Sequence, residues 1–208
     1  MSSSTTPRLL SYLTAAVLVA GVLCQFIQKT DPVFPLWYFT VDSAILAAVV
    51  SLWSAHRPND QAAIFLRGLA TTAVVLSAIV YAAVIAPMSP TGTWFQPWDD
   101  LWVRAALVLM HGIAPFLVVA QFLTYAAPRT GLSRVAATWC LWPALYVVCM
   151  LTAAAFTTAR IPYAFLDPEE MGGLLPVLGS GLVVGCVFFL LGRGALALHA
   201  RVGRKDAS

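Results

Sequence analysis

The chain has 208 residues, of which 60% are hydrophobic and only 10% are charged. In soluble domains about a quarter of the residues are charged, so the composition excludes an ordinary soluble domain and indicates an integral membrane protein. The formal net charge of +3 does not indicate a nucleic-acid partner, because the basic residues lie at the ends of apolar runs and form no continuous basic patch.

Apolar runs long enough to cross a bilayer follow one another along almost the whole chain. They cover residues 9–27, 33–55, 62–86, 101–126, 135–156 and 173–198, and about 20 apolar residues span the hydrocarbon core. The connections are too short to hold a second folded unit. We therefore predict an all-α integral membrane protein of six transmembrane helices, forming a single helical-bundle domain over residues 1–208. We expect it to be a multi-pass integral protein of the cell membrane.

The placement of basic residues predicts how the chain is oriented. Cytoplasmic ends of membrane helices carry an excess of Lys and Arg. With a cytoplasmic N-terminus, the outer ends receive only Lys29, Arg104 and Arg160. The inner ends then receive Arg8, Arg57, Arg67, Arg129, Arg134, Arg193, Arg201, Arg204 and Lys205. Both termini are therefore predicted inside, and Arg67 is expected to extend its charged end to the inner surface.

Polar residues interrupt the second and fourth runs. Thr40 and Asp42 lie near the start of the second run, and an ionisable residue in a membrane helix suggests a functional site. In the fourth run, Arg104, His111 and Pro115 have spacings of seven and four, which place them on one helix face. Pro115 has no N–H for the carbonyl of His111, so a kink is expected there.

The last two runs carry further structural signals. Pro143 predicts a second kink, in the fifth run. Asp167 and Pro168 have the pattern of an N-cap and first residue, which predicts a helix start in the last outer loop. Gly181 and Gly185 have GxxxG spacing, which is typical of a helix that packs closely on a neighbour in lipid.

Signatures of cofactor and metal chemistry are missing. The sequence contains no GxSxG elbow, no Walker loop and no HExxH motif. The four cysteines lie inside apolar runs without a CxxC pair, and His56, His111 and His199 are scattered along the chain. We therefore predict no cofactor and no metal site, and a membrane lipid as the natural partner.

A catalytic hypothesis follows from the polar residues in the outer half of the membrane. Thr40 would be an alcohol nucleophile and His111 the base that removes its proton, with an acyl-enzyme later hydrolysed by water. A lipid ester would be the substrate, and Asp42 and Arg104 would support the pocket. At 1.5 Å per residue, Thr40 lies about 8 Å into its helix when counted from Pro35, and His111 lies about 15 Å into its own when counted from Leu101. Tilt or the Pro115 kink would have to bring the two together.

Four other interpretations stay open at this stage. Thr40 would have only a structural role if its hydroxyl donates to the carbonyl of Leu36, in the preceding turn. Asp42 would pair with Arg104, or Asp42, Arg104 and His111 would form a proton or ion relay. The protein would also fit a non-enzymatic lipid-binding role.

These residues resemble a known family of six-helix membrane proteins, the androgen-induced and androgen-dependent proteins and their bacterial relatives. The residues that carry the resemblance are Tyr38, Phe39, Thr40, His111, Pro115, Pro162, Tyr163, Phe165, Leu166 and Asp167. The family hydrolyses fatty acid esters of hydroxy fatty acids with a threonine nucleophile and a histidine partner. The resemblance therefore implies these roles for Thr40 and His111, while Asp42 and Arg104 have no assigned place in it.

Overall fold

The structure, a computed structural model, describes residues 5–128, 131–157 and 159–205. All regular elements in these ranges are helical, and six helices are long and apolar enough to span a membrane, which confirms the predicted all-α, multi-pass class. The helices are α1 Thr5–Ile27, α2 Phe39–His56, α3 Gln61–Met88, α4 Leu101–Thr124, α5 Leu132–Phe156 and α6 Leu174–Lys205. Arg129, one of the residues used to predict the orientation, lies outside the described ranges.

The helix α3 lies at the centre of the bundle and takes part in two apolar cores. The first core joins α3 to α1, α2 and α4, and much of it consists of alanines such as Ala44, Ala70, Ala106 and Ala114. Small side chains let helix backbones approach closely where lipid gives no hydrophobic drive for association. These four helices therefore form the tightly packed part of the molecule.

The second core lies on the other side of α3, against α5 and α6, and its centre is Trp139, which is fully buried. Two glycines make room for the indole. A Cβ added at Gly68 of α3 would overlap the Trp139 ring, and one at Gly192 of α6 would lie 3.1 Å from it. The large ring thus fits between two helices because neither carries a side chain at the contact.

The expectation that Arg67 reaches the inner surface is wrong, because the side chain is only 2% exposed. Its guanidinium donates to the Ser54 hydroxyl and to the carbonyls of Ala126 and Pro58, each at 3.1 Å. It also lies 4.3 Å from the centre of the Tyr125 ring. Carbonyls freed at helix ends therefore take the place of water around the charge. We call this end of the bundle the Arg67 end and the opposite end, where α2 begins, the Thr40 end.

Irregular turns occur in three helices next to prolines, and kinks were predicted at two of these, Pro115 and Pro143. A π-helical turn at Val108–Ile113 precedes Pro115 in α4, and a second one at Tyr81–Ile85 precedes Pro87 in α3. The helix α5 is broken at Cys140, just before Pro143. Turns of the π type often occur at functional sites, and here both lie towards the Thr40 end.

The helix start predicted at Asp167 and Pro168 is wrong. Asp167 does accept a hydrogen bond from the Glu169 N–H, at 2.9 Å, but the chain then forms turns. Gly172 and Gly173 have φ values of 74° and 131°, which end any helical path. The helix α6 therefore begins only at Leu174.

Candidate functional site

A large cavity of about 780 Å³ lies between α3, α5 and α6. The first turn of α2 and the segment 163–166 close it at the Thr40 end. Its lining is mostly aliphatic and aromatic, and its oxygen-bearing side chains are those of Thr40, Ser77, Tyr146 and Tyr163. An apolar cavity with a few polar groups near one end is typical of a small-molecule site.

Gly181 and Gly185 line this cavity, so the prediction that they pack tightly on a neighbouring helix is wrong. A Cβ added at either position would have no atom within 4 Å. The missing side chains therefore leave space inside the protein. The contact of that kind is made instead by Gly192, further along α6, against Trp139.

The cavity has the length of an acyl chain and adjoins the lipid. Its lining on α6 extends from Val177 to Leu190, which at 1.5 Å per residue is about 20 Å. Half of a bilayer's hydrocarbon core is about 15 Å thick. Beside it, Val148 of α5 is 61% exposed and Leu182 of α6 is 70% exposed, so this side of the bundle faces the membrane.

Thr40 lies at the start of α2, where the first N–H groups of a helix have no partner within it. The Tyr163 phenol lies beside Phe39 and Thr40, and all three residues line the same cavity. The half-buried side chain of Thr40 lines the cavity at this point. The Thr40 side chain therefore lies beside Tyr163 at this end of the cavity, and a bond from its hydroxyl to the Leu36 carbonyl is not among its described contacts.

Tyr163 is the residue at this site whose role the sequence reasoning missed, although it belonged to the pattern from Pro162 to Asp167. Its ring is 8% exposed and packs against Tyr38, Tyr146 and Phe165. Burial raises the pKa of Tyr163 to about 12, and the contacts with Thr40 and Phe39 oppose this only in part. The phenol is therefore neutral near pH 7, so it donates and accepts hydrogen bonds but is no general base.

His111 lies behind Tyr81, at the contact between α3 and α4. The two rings stack at 4.3 Å, with 13° between their planes. The Tyr81 hydroxyl donates to the carbonyl of Trp94 at 2.6 Å, and Nδ1 of His111 is buried with no hydrogen-bond partner among the described residues. His111 is not among the residues that line the cavity, whereas Ser77, one turn before Tyr81, is. The pairing of Thr40 with His111 thus stays a prediction.

Asp42 and Arg104 lie in two other places. Arg104 is exposed, donates to the carbonyls of Asp99 and Gln96, and lies 6.0 Å from the Phe95 ring centre. Asp42 lines a separate small cavity between α2 and α5. The described contacts therefore contain no pairing between these two side chains.

Comparison of the chain with models of known protein families, with curated proteins and with solved structures finds no match. The resemblance to the androgen-induced family therefore rests on the residues named above. Among the residues that the structure describes, no group of three or more His, Cys, Asp and Glu side chains is placed to hold a metal ion. The chemistry of the site thus has to be argued from Thr40 and the side chains around the cavity.

Proposed function

We propose that this protein binds a lipid ester in the large cavity and hydrolyses it with Thr40 as the nucleophile. One observation carries the proposal: Thr40 is one of the few residues with a polar side chain that line an otherwise apolar cavity of acyl-chain length. A chain entering from the membrane between α5 and α6 would fill the apolar part. Its ester would then lie beside Thr40, Tyr146 and Tyr163.

The proposed reaction has two steps. The Thr40 oxygen attacks the ester carbonyl, its proton passes by way of a base to the leaving alcohol, and an acyl-threonine forms. Water then attacks the acyl-threonine, which releases the fatty acid and restores the Thr40 hydroxyl. His111 is the proposed base. Because His111 stacks on Tyr81 outside the cavity lining, its proton transfer requires either movement of the Tyr81 ring or a connecting water.

The substrate and the location are part of the same proposal. The resemblance carried by Thr40, His111 and the segment from Pro162 to Asp167 supports fatty acid esters of hydroxy fatty acids as substrates. Basic residues concentrate at the Arg67 end of the bundle, which supports a cell-membrane protein with both termini in the cytoplasm. The Thr40 end would then face the outside.

Lipid binding without chemistry is the second candidate, and the position of His111 behind Tyr81 favours it. A proton or ion relay has less support. Asp42, Arg104 and His111 lie in three different surroundings, and no described contact connects them.

The test compares two cavity hydroxyls in the purified protein. Thr40→Ala should reduce the release of fatty acid from a hydroxy-fatty-acid ester by more than about a hundredfold, since it removes the nucleophile. Ser77→Ala is the matched control, because the Ser77 hydroxyl lines the same cavity but donates to the Val74 carbonyl at 2.9 Å. It should keep most of the activity. Equal rates in wild type and Thr40→Ala, or recovery of bound lipid that is never cleaved, would reject the hydrolase.

A further inference from the structure

The small cavity beside Asp42, which we call the Asp42 pocket, has a composition unlike that of the large one. It measures about 170 Å³, and its walls include Trp37, Asp42, Trp142 and Tyr146. It thus combines one carboxylate with three aromatic rings. The volume is too small for an acyl chain but suits a compact polar group.

The polar edges of two of these rings, Trp142 and Tyr146, are already engaged. The Trp142 indole N–H donates to the Ser43 hydroxyl at 3.2 Å, and the Tyr146 hydroxyl donates to the Trp37 carbonyl at 2.7 Å. The two bonds also join α5 to α2 and to the turn before it, so they fix the rings in place. What the rings offer to a ligand is therefore their aromatic surface.

Asp42 supplies a negative charge that has no counter-charge in the described structure. It is half-buried in the first turn of α2, where the helix dipole favours an anion. Arg104 bonds to carbonyls of its own loop, and the described residues contain no cation within ion-pair distance of Asp42. A partly desolvated carboxylate at a membrane helix usually has a partner, so a cationic ligand would complete the pocket.

We propose that the Asp42 pocket binds the quaternary ammonium group of a lipid headgroup in the leaflet at the Thr40 end. Aromatic faces with one carboxylate are the recognised surroundings of a quaternary ammonium. A primary ammonium has three N–H donors and would need more acceptors than this pocket provides. Leu36 and Leu145, which also line the pocket, are 40% and 56% exposed, so a membrane lipid can reach it.

The site is distinct from the large cavity and does not rest on the proposed hydrolase. Tyr146 is the residue that lines both cavities, and Thr40 lines the large one alone. A lipid held at Asp42 would place its headgroup at the level where Trp side chains lie in membranes, as Trp37 does here at the start of α2.

The experiment measures lipid retention by the purified full chain in mixed micelles of phosphatidylcholine and phosphatidylglycerol. The wild type should retain phosphatidylcholine preferentially, and Asp42→Asn should reduce this retention about tenfold, as expected on losing one partly desolvated charge contact. Asp60→Asn is the matched control. Asp60 is an acid at the other end of the bundle that caps α3, and Asn caps equally well.

One further variant and one competition measurement distinguish the possible results. Cys149→Phe fills the pocket while keeping Asp42, and it should also lower phosphatidylcholine retention, which covers the case in which Asp42→Asn fails to fold. Soluble tetramethylammonium should compete with phosphatidylcholine in the wild type. Equal retention of the two lipids, or unchanged retention in both variants, would overturn the proposal. If tetramethylammonium binds but neither lipid is preferred, the proposal that the bound quaternary ammonium belongs to a lipid headgroup would be overturned.

Discussion

The environment of Thr40 explains why a single hydroxyl near the end of a membrane helix is a candidate for chemistry. Threonines in such helices usually bond to a carbonyl of the preceding turn. Here the Tyr163 phenol lies beside Thr40 and Phe39. The loop that carries Tyr163 and the first turn of α2 therefore meet at the end of the cavity where the proposed nucleophile lies.

Replacing Tyr163 by Phe tests this arrangement. The ring and its packing on Tyr38 and Phe165 would remain, while the hydroxyl between the loop and α2 would be lost. We expect ester hydrolysis to fall about tenfold and the free energy of unfolding to fall by about 1–3 kcal/mol, because the buried phenol group beside the first turn of α2 is lost. Tyr12→Phe, at an exposed tyrosine of α1, should change neither quantity.

The same variant has a distinct pH signature. The pKa of Tyr163 rises from its ordinary value of 10.0 to about 12 in the folded protein. A group with a raised folded pKa contributes stability that is complete below pH 10 and is lost as the pH rises towards 12. Burial and Asp31 also raise the pKa of Tyr38, with the same sign. The melting temperature should therefore fall between pH 10 and 12 in the wild type, and it should fall less steeply in Tyr163→Phe. An equal pH dependence of the melting temperature in the two proteins would contradict a buried Tyr163 phenol with a raised pKa.

At the scale of the helices, glycines that look alike in the sequence have opposite roles. Gly68 in α3 and Gly192 in α6 admit the Trp139 ring, whereas Gly181 and Gly185 leave room for the cavity. The GxxxG spacing indicates only that one face of the helix lacks large side chains. Whether a helix, a ring or a ligand covers that face depends on the neighbours.

A pair of alanine substitutions distinguishes the two kinds of glycine. Gly68→Ala places a methyl group against the Trp139 ring and should destabilise the protein by about 1–3 kcal/mol through overpacking. Gly185→Ala meets no atom within 4 Å and should leave stability unchanged or raise it by up to about 1 kcal/mol, because alanine favours helix. Thermal unfolding in detergent measures both. A lower melting temperature for Gly185→Ala would show that α6 packs against a neighbour there.

The sequence predicted the helices well because a bilayer sets their length and composition. It did not predict how they pack. Core and lipid-facing residues are both apolar in a membrane, so no amphipathic pattern distinguished the packed α2 from the exposed α6. Arg67 was misplaced for a related reason: its partners are the carbonyls of Pro58 and Ala126, and backbone groups leave no signal in the side-chain sequence.

The catalytic roles of Thr40 and His111 stay predictions. Thr40 lines the large cavity, which lies between α3, α5 and α6 and owes its space to the glycines of α6. His111 was chosen by its helix face and by Pro115. The stacking on Tyr81 depends on two π-helical turns that the sequence did not indicate.

For the whole molecule, the prediction to test is its orientation in the membrane. The tight part of the bundle is formed by α1 to α4, and the large cavity lies on the less buried side, with α5 and α6. The basic residues at the Arg67 end predict that both termini are cytoplasmic. A reporter active only in the cytoplasm should work when fused to the C-terminus and fail when inserted near Gly172. The reverse result would place the Thr40 end inside.

Covalent labelling by a fluorophosphonate that carries an acyl chain tests directly whether Thr40 is the nucleophile. We expect a single adduct on Thr40, located by peptide mass spectrometry, prevented by an excess of the ester and lost in Thr40→Ala. Ser77→Ala should label as the wild type does, since its hydroxyl lies in the same cavity without the proposed role. An adduct on another residue, or labelling that persists in Thr40→Ala, would contradict Thr40 as the nucleophile.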